Sequence, residues 1–300
     1  MNSEEHKILR ILEEVEHMKL LFEVVQFIFY SLCIVAVSKY ILVPVLRKFA
    51  ESINLKAKTV GNLAGVATSV PELLSVSFAA ITGLIGTSIY NILSSNVINL
   101  IQYIISVWIN KNVKVLKNRA ITIDIVMVII TILIPIGFVI TNFETNLIVV
   151  FLLILLFALF YYINNNTHKL YLEKEEKIEE KKINEEAKWV RGKKEVIIKY
   201  SVYLIIIGIV LFIVGNLLSG TLEKLCVTFN IPEFIVGIAL GFITSIPELI
   251  TFFESQKHHK SKQDDRLGVI EATNNLLTSN MLNLFVIQSI GIILYQIFAS

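Results

Sequence analysis

The chain has 300 residues, 55% of them hydrophobic and 17% charged, with a net charge of +2 and a mean hydropathy of +0.70. Soluble domains carry about 25% charged residues, so this composition excludes an ordinary soluble fold. The small net charge, with Lys and Arg dispersed through short segments, excludes a nucleic-acid partner.

Residues 1–19 carry five glutamates and no small-residue cleavage site follows them, so no signal peptide is expected. Ile8, Leu9, Ile11, Leu12 and Val15 recur at helical spacing and predict an amphipathic N-terminal extension. Apolar runs then occupy 21–46, 57–82, 84–109, 120–141 and 145–163. A run of ~20 apolar residues spans the hydrocarbon core of a bilayer. Residues 164–196 are dense in both charge signs, which predicts a solvated loop with i,i+4 Glu/Lys pairs. Three further apolar runs follow at 197–218, 231–254 and 267–298. The expected fold is therefore an all-α polytopic membrane protein of about eight transmembrane helices. Its parts are an N-terminal extension (1–19), a first repeat (20–163), the charged loop (164–196) and a second repeat (197–300). Cys33 and Cys226 lie in or beside apolar runs, lack metal-ligand spacing and form no disulfide framework.

The loops between eight spans alternate sides. One side receives Lys7, Arg10, Lys19 and Lys224, while 22 other Lys and Arg fall on the opposite side. The positive-inside rule makes the richer side cytoplasmic. The N-terminus is then extracytoplasmic and 164–196 cytoplasmic.

Two stretches repeat. NLKAKTVGNLAGVATSVPEL at 54–73 matches NIPEFIVGIALGFITSIPEL at 230–249, sharing Val60/Val236, Gly61/Gly237, Gly65/Gly241 and the run Thr68, Ser69, Pro71, Glu72 with Thr244, Ser245, Pro247, Glu248. A second match pairs Asn91, Ser95, Asn96 and Asn99 with Asn275, Ser279, Asn280 and Asn283. By the loop charges the two copies enter the membrane from opposite sides. Inverted repeats are typical of secondary transporters, with the binding site near the midplane where the copies meet.

The repeated residues suit a cation. A carboxylate at mid-membrane costs at least a few kcal/mol, so it persists where a cation, a proton or a cavity compensates it. Glu72 and Glu248 supply two negative charges, enough to neutralise one Ca²⁺. Thr68 and Ser69 share a helix face with Glu72, as do Thr244 and Ser245 with Glu248; Ser95 and Asn99, and Ser279 and Asn283, are i,i+4 pairs on the next helix. Ca²⁺ takes ~6–8 oxygens from carboxylates, amides and backbone carbonyls. Pro71 and Pro247 have no N–H to give the carbonyls of Ala67 and Ile243, which are thereby freed. Elsewhere, Asp124 reads as a surface pair with Arg119, Glu254 and Glu271 as interface residues, and His258 and His259 as part of a charged segment. No Ser-His-Asp set, P-loop or zinc motif is present, and no enzymatic activity or cofactor is expected.

ATSVPEL and FITSIPEL resemble the G-T-S-x-P-E motif of the cation/Ca²⁺ exchanger superfamily, and NILSSNVIN and NNLLTSNMLN resemble its G-N-x-x-G-S-N-x-x-N motif. The resemblance implies a sodium/calcium-exchanger type of membrane region with Glu72 and Glu248 as central ligands and Asn99 and Asn283 as their amide partners. Thr68, Ser69, Ser95, Thr244, Ser245 and Ser279 would help form flanking Na⁺ sites, and 21–46 and 197–218 would slide across a rigid core. The Thr-Ser pairs resemble the sodium-coupled branch.

The chain departs from the motif where Ala67, Tyr90, Ser94, Ile243, Asn274 and Thr278 replace glycines. The second repeat is also two spans shorter than the first, which implies either a shortened form or a second copy or partner subunit that covers its exposed core. The expected function is a secondary antiporter exchanging Ca²⁺ for Na⁺ in contact with membrane lipid. The alternatives are coupling to protons or another cation on the same scaffold, and a non-transporting cation-binding or partner subunit.

Overall fold

The computed structural model describes residues 3–52, 55, 57–141, 147–171, 194–261 and 265–299. Among these residues there is no β-strand, and eight helical segments are long and apolar enough to cross a membrane. The charged loop expected at 164–196 lies largely outside the described residues, as do the side chains behind the amphipathic reading of Ile8 to Leu12.

The first span is one continuous helical rod: α1 (Ser3–Val37), a π-helical stretch (Ser38–Leu42) and α2 (Val43–Ser52). The second span is divided into α3 (Ala57–Thr68) and α4 (Val70–Ile81). Then come α5 (Ile85–Ile109), α6 (Arg119–Thr141) and α7 (Leu147–Tyr171). The second half holds α8 (Lys194–Val227), a divided seventh span α9 (Glu233–Thr244) and α10 (Ile246–Ser261), and the eighth span. The eighth span consists of α11 (Asp265–Met281), a π-helical stretch (Leu282–Ile287) and α12 (Gln288–Phe298).

The two divided spans were expected as single helices. The interruption is one residue in each, at Ser69 (φ −81°, ψ 1°) and Ser245 (φ −80°, ψ −3°). Its cause is the proline two residues on, whose ring lacks an N–H and clashes with the carbonyl four residues back. Pro71 and Pro247 therefore sit in the first turn of the new helices, where proline is tolerated.

Burial sorts the spans. Only 11% of the most apolar stretch of the first and sixth spans is buried, against 61% in the second and 56% in the seventh. The divided spans, α5 and the eighth span form the interior. Within it α3 packs on α11 and α9 packs on α5, so each divided span lies against the following helix of the other repeat. Glycines allow this closeness. A Cβ on Gly61 would lie 2.2 Å from the Glu271 carbonyl oxygen, and one on Gly241 would lie 2.7 Å from that of Asn91. The motif glycines absent at Tyr90 and Thr278 are thus supplied from the facing helix, by Gly237 and Gly65.

Two apolar clusters flank the polar interior. One joins Tyr103, Val128, Leu153, Phe160, Phe252, Leu276 and Phe285. The other joins Ile34 and Leu42 of the first span to Ile207, Leu211, Leu218 and Leu222 of α8 and Val236 and Leu240 of α9.

Two acids differ from expectation. Asp124 is fully buried, not on the surface, and accepts a hydrogen bond from Asn164 Nδ2 at 3.0 Å. Glu271 is also buried. It receives Arg47 Nη2 at 2.8 Å, Ser255 Oγ at 2.6 Å and His259 Nε2 at 2.9 Å, which ties the end of the first span and α10 to α11. Glu254 is exposed.

Candidate cation site

All ten residues singled out by the repeat are buried: Thr68, Ser69, Glu72, Ser95, Asn99, Thr244, Ser245, Glu248, Ser279 and Asn283. The helix breaks explain their placement. Thr68 and Thr244 end one half-helix, Ser69 and Ser245 are the interruptions, and Glu72 and Glu248 lie in the first turn of the next half-helix. A helix N-terminus favours a carboxylate there, while the preceding C-terminal carbonyls carry partial negative charge suited to a cation.

The two halves meet through Ser279. Its hydroxyl donates to Glu248 Oε1 at 2.9 Å, lies 3.0 Å from Ser69 Oγ, and is reached by Asn99 Nδ2 at 3.4 Å. Ser95, the counterpart of Ser279, instead lies 3.4 Å from Thr244 Oγ1. Thr244 lies near Glu72 and Thr68 near Glu248. Both hydroxyls also bond back to their own helices, Thr68 to the Ala64 carbonyl at 2.9 Å and Thr244 to that of Leu240 at 3.0 Å.

Several oxygens face no donor. Both carboxylate oxygens of Glu72, Oε2 of Glu248, Oδ1 of Asn99, Oδ1 of Asn283 and Oγ of Ser245 are buried without a hydrogen-bond partner among the described residues. Leaving a buried acceptor unpaired costs about 1–3 kcal/mol, and more for a charged group. The same atoms are hard oxygen ligands. Among the described residues no group of three or more His, Cys, Asp or Glu is present, so the donor set is two carboxylates plus neutral oxygens. That set suits a hard cation, an alkali or alkaline-earth ion or Mn²⁺, and lacks the thiolate and imidazole ligands that softer metals take.

A polar layer stands behind these groups. Asn91 donates to Ser75 Oγ at 2.8 Å, Ser75 to the Glu72 carbonyl at 3.1 Å, and Asn275 donates in the same way to Thr251, which bonds the Glu248 carbonyl. Asn96 and Asn280 bond across the repeat axis. Asn91, Asn275, Asn96 and Asn280 all stand among the repeat identities, and that was the available signal.

A helical bundle of two interlocked repeats, with a buried oxygen-lined centre between broken helices, defines the class: a polytopic secondary transporter of cations. The sodium/calcium exchanger protein family matches residues 23–165 and 199–299, and the chain belongs to that family. It is similar to solved structures of the sodium-calcium exchanger NCX_Mj. One, soaked with 100 mM Na⁺ and 10 mM Sr²⁺, is 19% identical with a TM-score of 0.54, covering 92% of this chain and 83% of that one. Another, soaked with 2.5 mM Na⁺ and 0.1 mM Ca²⁺, is 20% identical with a TM-score of 0.54 and covers 91% and 82%. No curated protein sequence matches. The chain is therefore an integral, multi-pass membrane protein of the cation antiporter class.

Proposed function

We propose that this chain exchanges Ca²⁺ for Na⁺ across a membrane by alternating access, with Glu72 and Glu248 as the shared counter-charges. The observation that carries the reading is the pair of buried carboxylates, one from each inverted repeat, three of whose four oxygens have no hydrogen-bond partner among the described residues. One Ca²⁺ neutralises the pair. The carbonyl oxygens of Asn99 and Asn283 complete its coordination, since Ca²⁺ accepts amide oxygens readily. The hydroxyls of Thr68, Ser69, Ser95, Thr244, Ser245 and Ser279 bring no charge and serve Na⁺ beside the same acids. Because the ions share the acids they compete, and in an alternating-access cycle that competition couples the two gradients. The loop charges orient the protein with the N-terminus outside and 164–196 in the cytoplasm.

The test is Ca²⁺ binding and uptake by purified protein, the latter in proteoliposomes with an outward Na⁺ gradient. Parent protein binds Ca²⁺ and accumulates it. Glu72→Gln and Glu248→Gln each abolish binding while the protein stays inserted, because a buried ligand charge is lost with little change of shape. Unchanged Ca²⁺ affinity in both variants refutes the site. Uptake that ignores Na⁺ and follows a pH gradient replaces sodium with proton coupling.

A further inference from the structure

We infer that Asn96 and Asn280, whose carboxamides are bonded within the protein, are positioning residues that fix the carbonyl oxygens of Asn283 and Asn99 toward the proposed cation site. The inference rests on that site reading and adds to it a crossed pattern of dependence between the repeats.

A carboxamide has an accepting end and a donating end of nearly equal size, so its orientation must be read from its partners. Here the reading starts from groups that cannot turn round. The backbone carbonyls of Asn96 and Asn280 are acceptors only. Asn280 Nδ2 lies 3.1 Å from the Asn96 carbonyl oxygen, and Asn96 Nδ2 lies 3.3 Å from the Asn280 carbonyl oxygen. A second acceptor, the Thr131 carbonyl, lies 3.4 Å from Asn96 Nδ2 and favours the same orientation. The NH₂ of each residue is thereby committed, and its Oδ1 must face the other way.

That Oδ1 in turn selects the next amide. Asn99 Nδ2 donates to Asn280 Oδ1 at 3.2 Å, and Asn283 Nδ2 donates to Asn96 Oδ1 at 3.2 Å. A flipped Asn99 would set oxygen against oxygen at that distance. With its NH₂ held, Asn99 turns Oδ1 away from the clasp, and Asn283 does the same. Those two oxygens are the ones left buried without a donor. All four side chains are essentially fully buried, so water does not compete for these bonds. The polarity of a fixed backbone carbonyl is relayed through two carboxamides to an oxygen offered to the ion. The relay crosses the axis, since Asn280 of the second repeat orients Asn99 of the first, and Asn96 orients Asn283.

Removing the relay lets the ligand amide turn its NH₂ toward the cation. Loss of an outer group that orients a metal ligand costs about 10- to 100-fold in affinity. The experiment measures equilibrium Ca²⁺ binding to detergent-purified protein, with elution as a single species as the folding control. Asn280→Leu, close to Asn in shape, is expected to weaken Ca²⁺ within that range. A double-mutant cycle with Asn99→Ala shows coupling, because Asn280 has no ligand to orient once Asn99 is gone. The cycle of Asn280→Leu with Asn283→Ala is nearly additive. Asn96→Leu gives the mirror result, coupled to Asn283→Ala and additive with Asn99→Ala. Asn280→Asp, which retains an acceptor toward Asn99 and, as a buried protonated carboxyl, a donor toward the Asn96 carbonyl, keeps affinity near the parent value and covers the case in which the Leu variant does not fold. A general structural role predicts equal coupling to both ligands, and that result overturns the inference. So does a loss in Asn280→Asp as large as in a folded Asn280→Leu. Parent protein that binds no cation overturns the site reading itself, whereas uncrossed coupling in a parent that binds overturns only the relay.

Discussion

Gly61→Ala tests the interlocking of the repeats most directly. The added Cβ would lie 2.2 Å from the Glu271 carbonyl oxygen, 3.0 Å from Asn274 Cβ and 3.1 Å from Asn275 N. All three belong to α11, and the nearest is backbone, so no side chain can swing away. Ordinary contact begins near ~3.5 Å, so α3 and α11 must separate by about 1 Å. Overpacking costs about 1–3 kcal/mol where neighbours can yield, and here the upper end is expected. The separation propagates along both helices to the site. The 3.0 Å contact between Ser69 and Ser279 would open to about 4 Å, beyond hydrogen-bond range. Gly61→Ala should therefore lower the melting temperature of the purified protein by several degrees and weaken Ca²⁺ on the order of tenfold. Gly208→Ala in α8 is the control, since nothing lies within 4 Å of its Cβ. That variant should match or slightly exceed parent stability, because alanine is the better helix former by about 0.5–1 kcal/mol. Parent-like stability and Ca²⁺ affinity in Gly61→Ala would refute the close crossing of α3 and α11.

Ser69→Ala combined with Ser245→Ala should weaken the Na⁺ dependence of Ca²⁺ uptake more than Ca²⁺ binding, since the hydroxyls contribute dipoles and the acids contribute charge; equal loss of both argues against separate Na⁺ positions. A single cysteine at Lys114, exposed between α5 and α6, in a background lacking Cys33 and Cys226, should resist an impermeant thiol reagent applied to intact cells. Labelling from outside reverses the proposed orientation.

The sequence discloses the spans and the central acids because both leave local marks. Length and apolarity mark the spans, and the duplicated T-S-x-P-E lifts Glu72 and Glu248 above chance. What it hides depends on distance in space. Glu271 reads as an interface residue because Arg47, 224 residues away along the chain, and His259 reach it only once α2 and α10 converge on α11. Asp124 looks like a partner for nearby Arg119, yet the fold buries it beside Asn164 of the next span. Tyr90 looks too large for a close crossing until Gly237 is found opposite. The π-helical stretches at Ser38–Leu42 and Leu282–Ile287 carry no proline or glycine to announce them. Asn96 and Asn280 were visible as repeated residues, but their use depends on which carbonyl each one meets across the axis.

The interior contacts also bear on which part moves during the proposed alternation. Glycine crossings bind α3 to α11 and α9 to α5, and the Asn96–Asn280 clasp joins the repeats at the centre. Parting these helices would strand buried amides and carbonyls without partners, at about 1–3 kcal/mol each. The first and sixth spans meet the interior differently. Ile34, Leu42, Leu211 and Leu218 belong to an apolar cluster with Val236 and Leu240, and Phe78 of α4 packs on Phe212 of α8. Apolar contact is non-directional, so one such face can shift along another without leaving a polar group unpaired. Lys224 Nζ lies 2.9 Å from Glu23 Oε1 and joins the two peripheral spans to each other, so it can travel with them. Arg47 to Glu271 is different, because it anchors the end of the first span to the interior. A sliding first span must release that ion pair, whereas Ser255 and His259 can stay with Glu271 throughout. If the proposed exchange proceeds by alternating access, these contacts make the cross-braced interior the costlier part to open and the two peripheral spans the cheaper part to move.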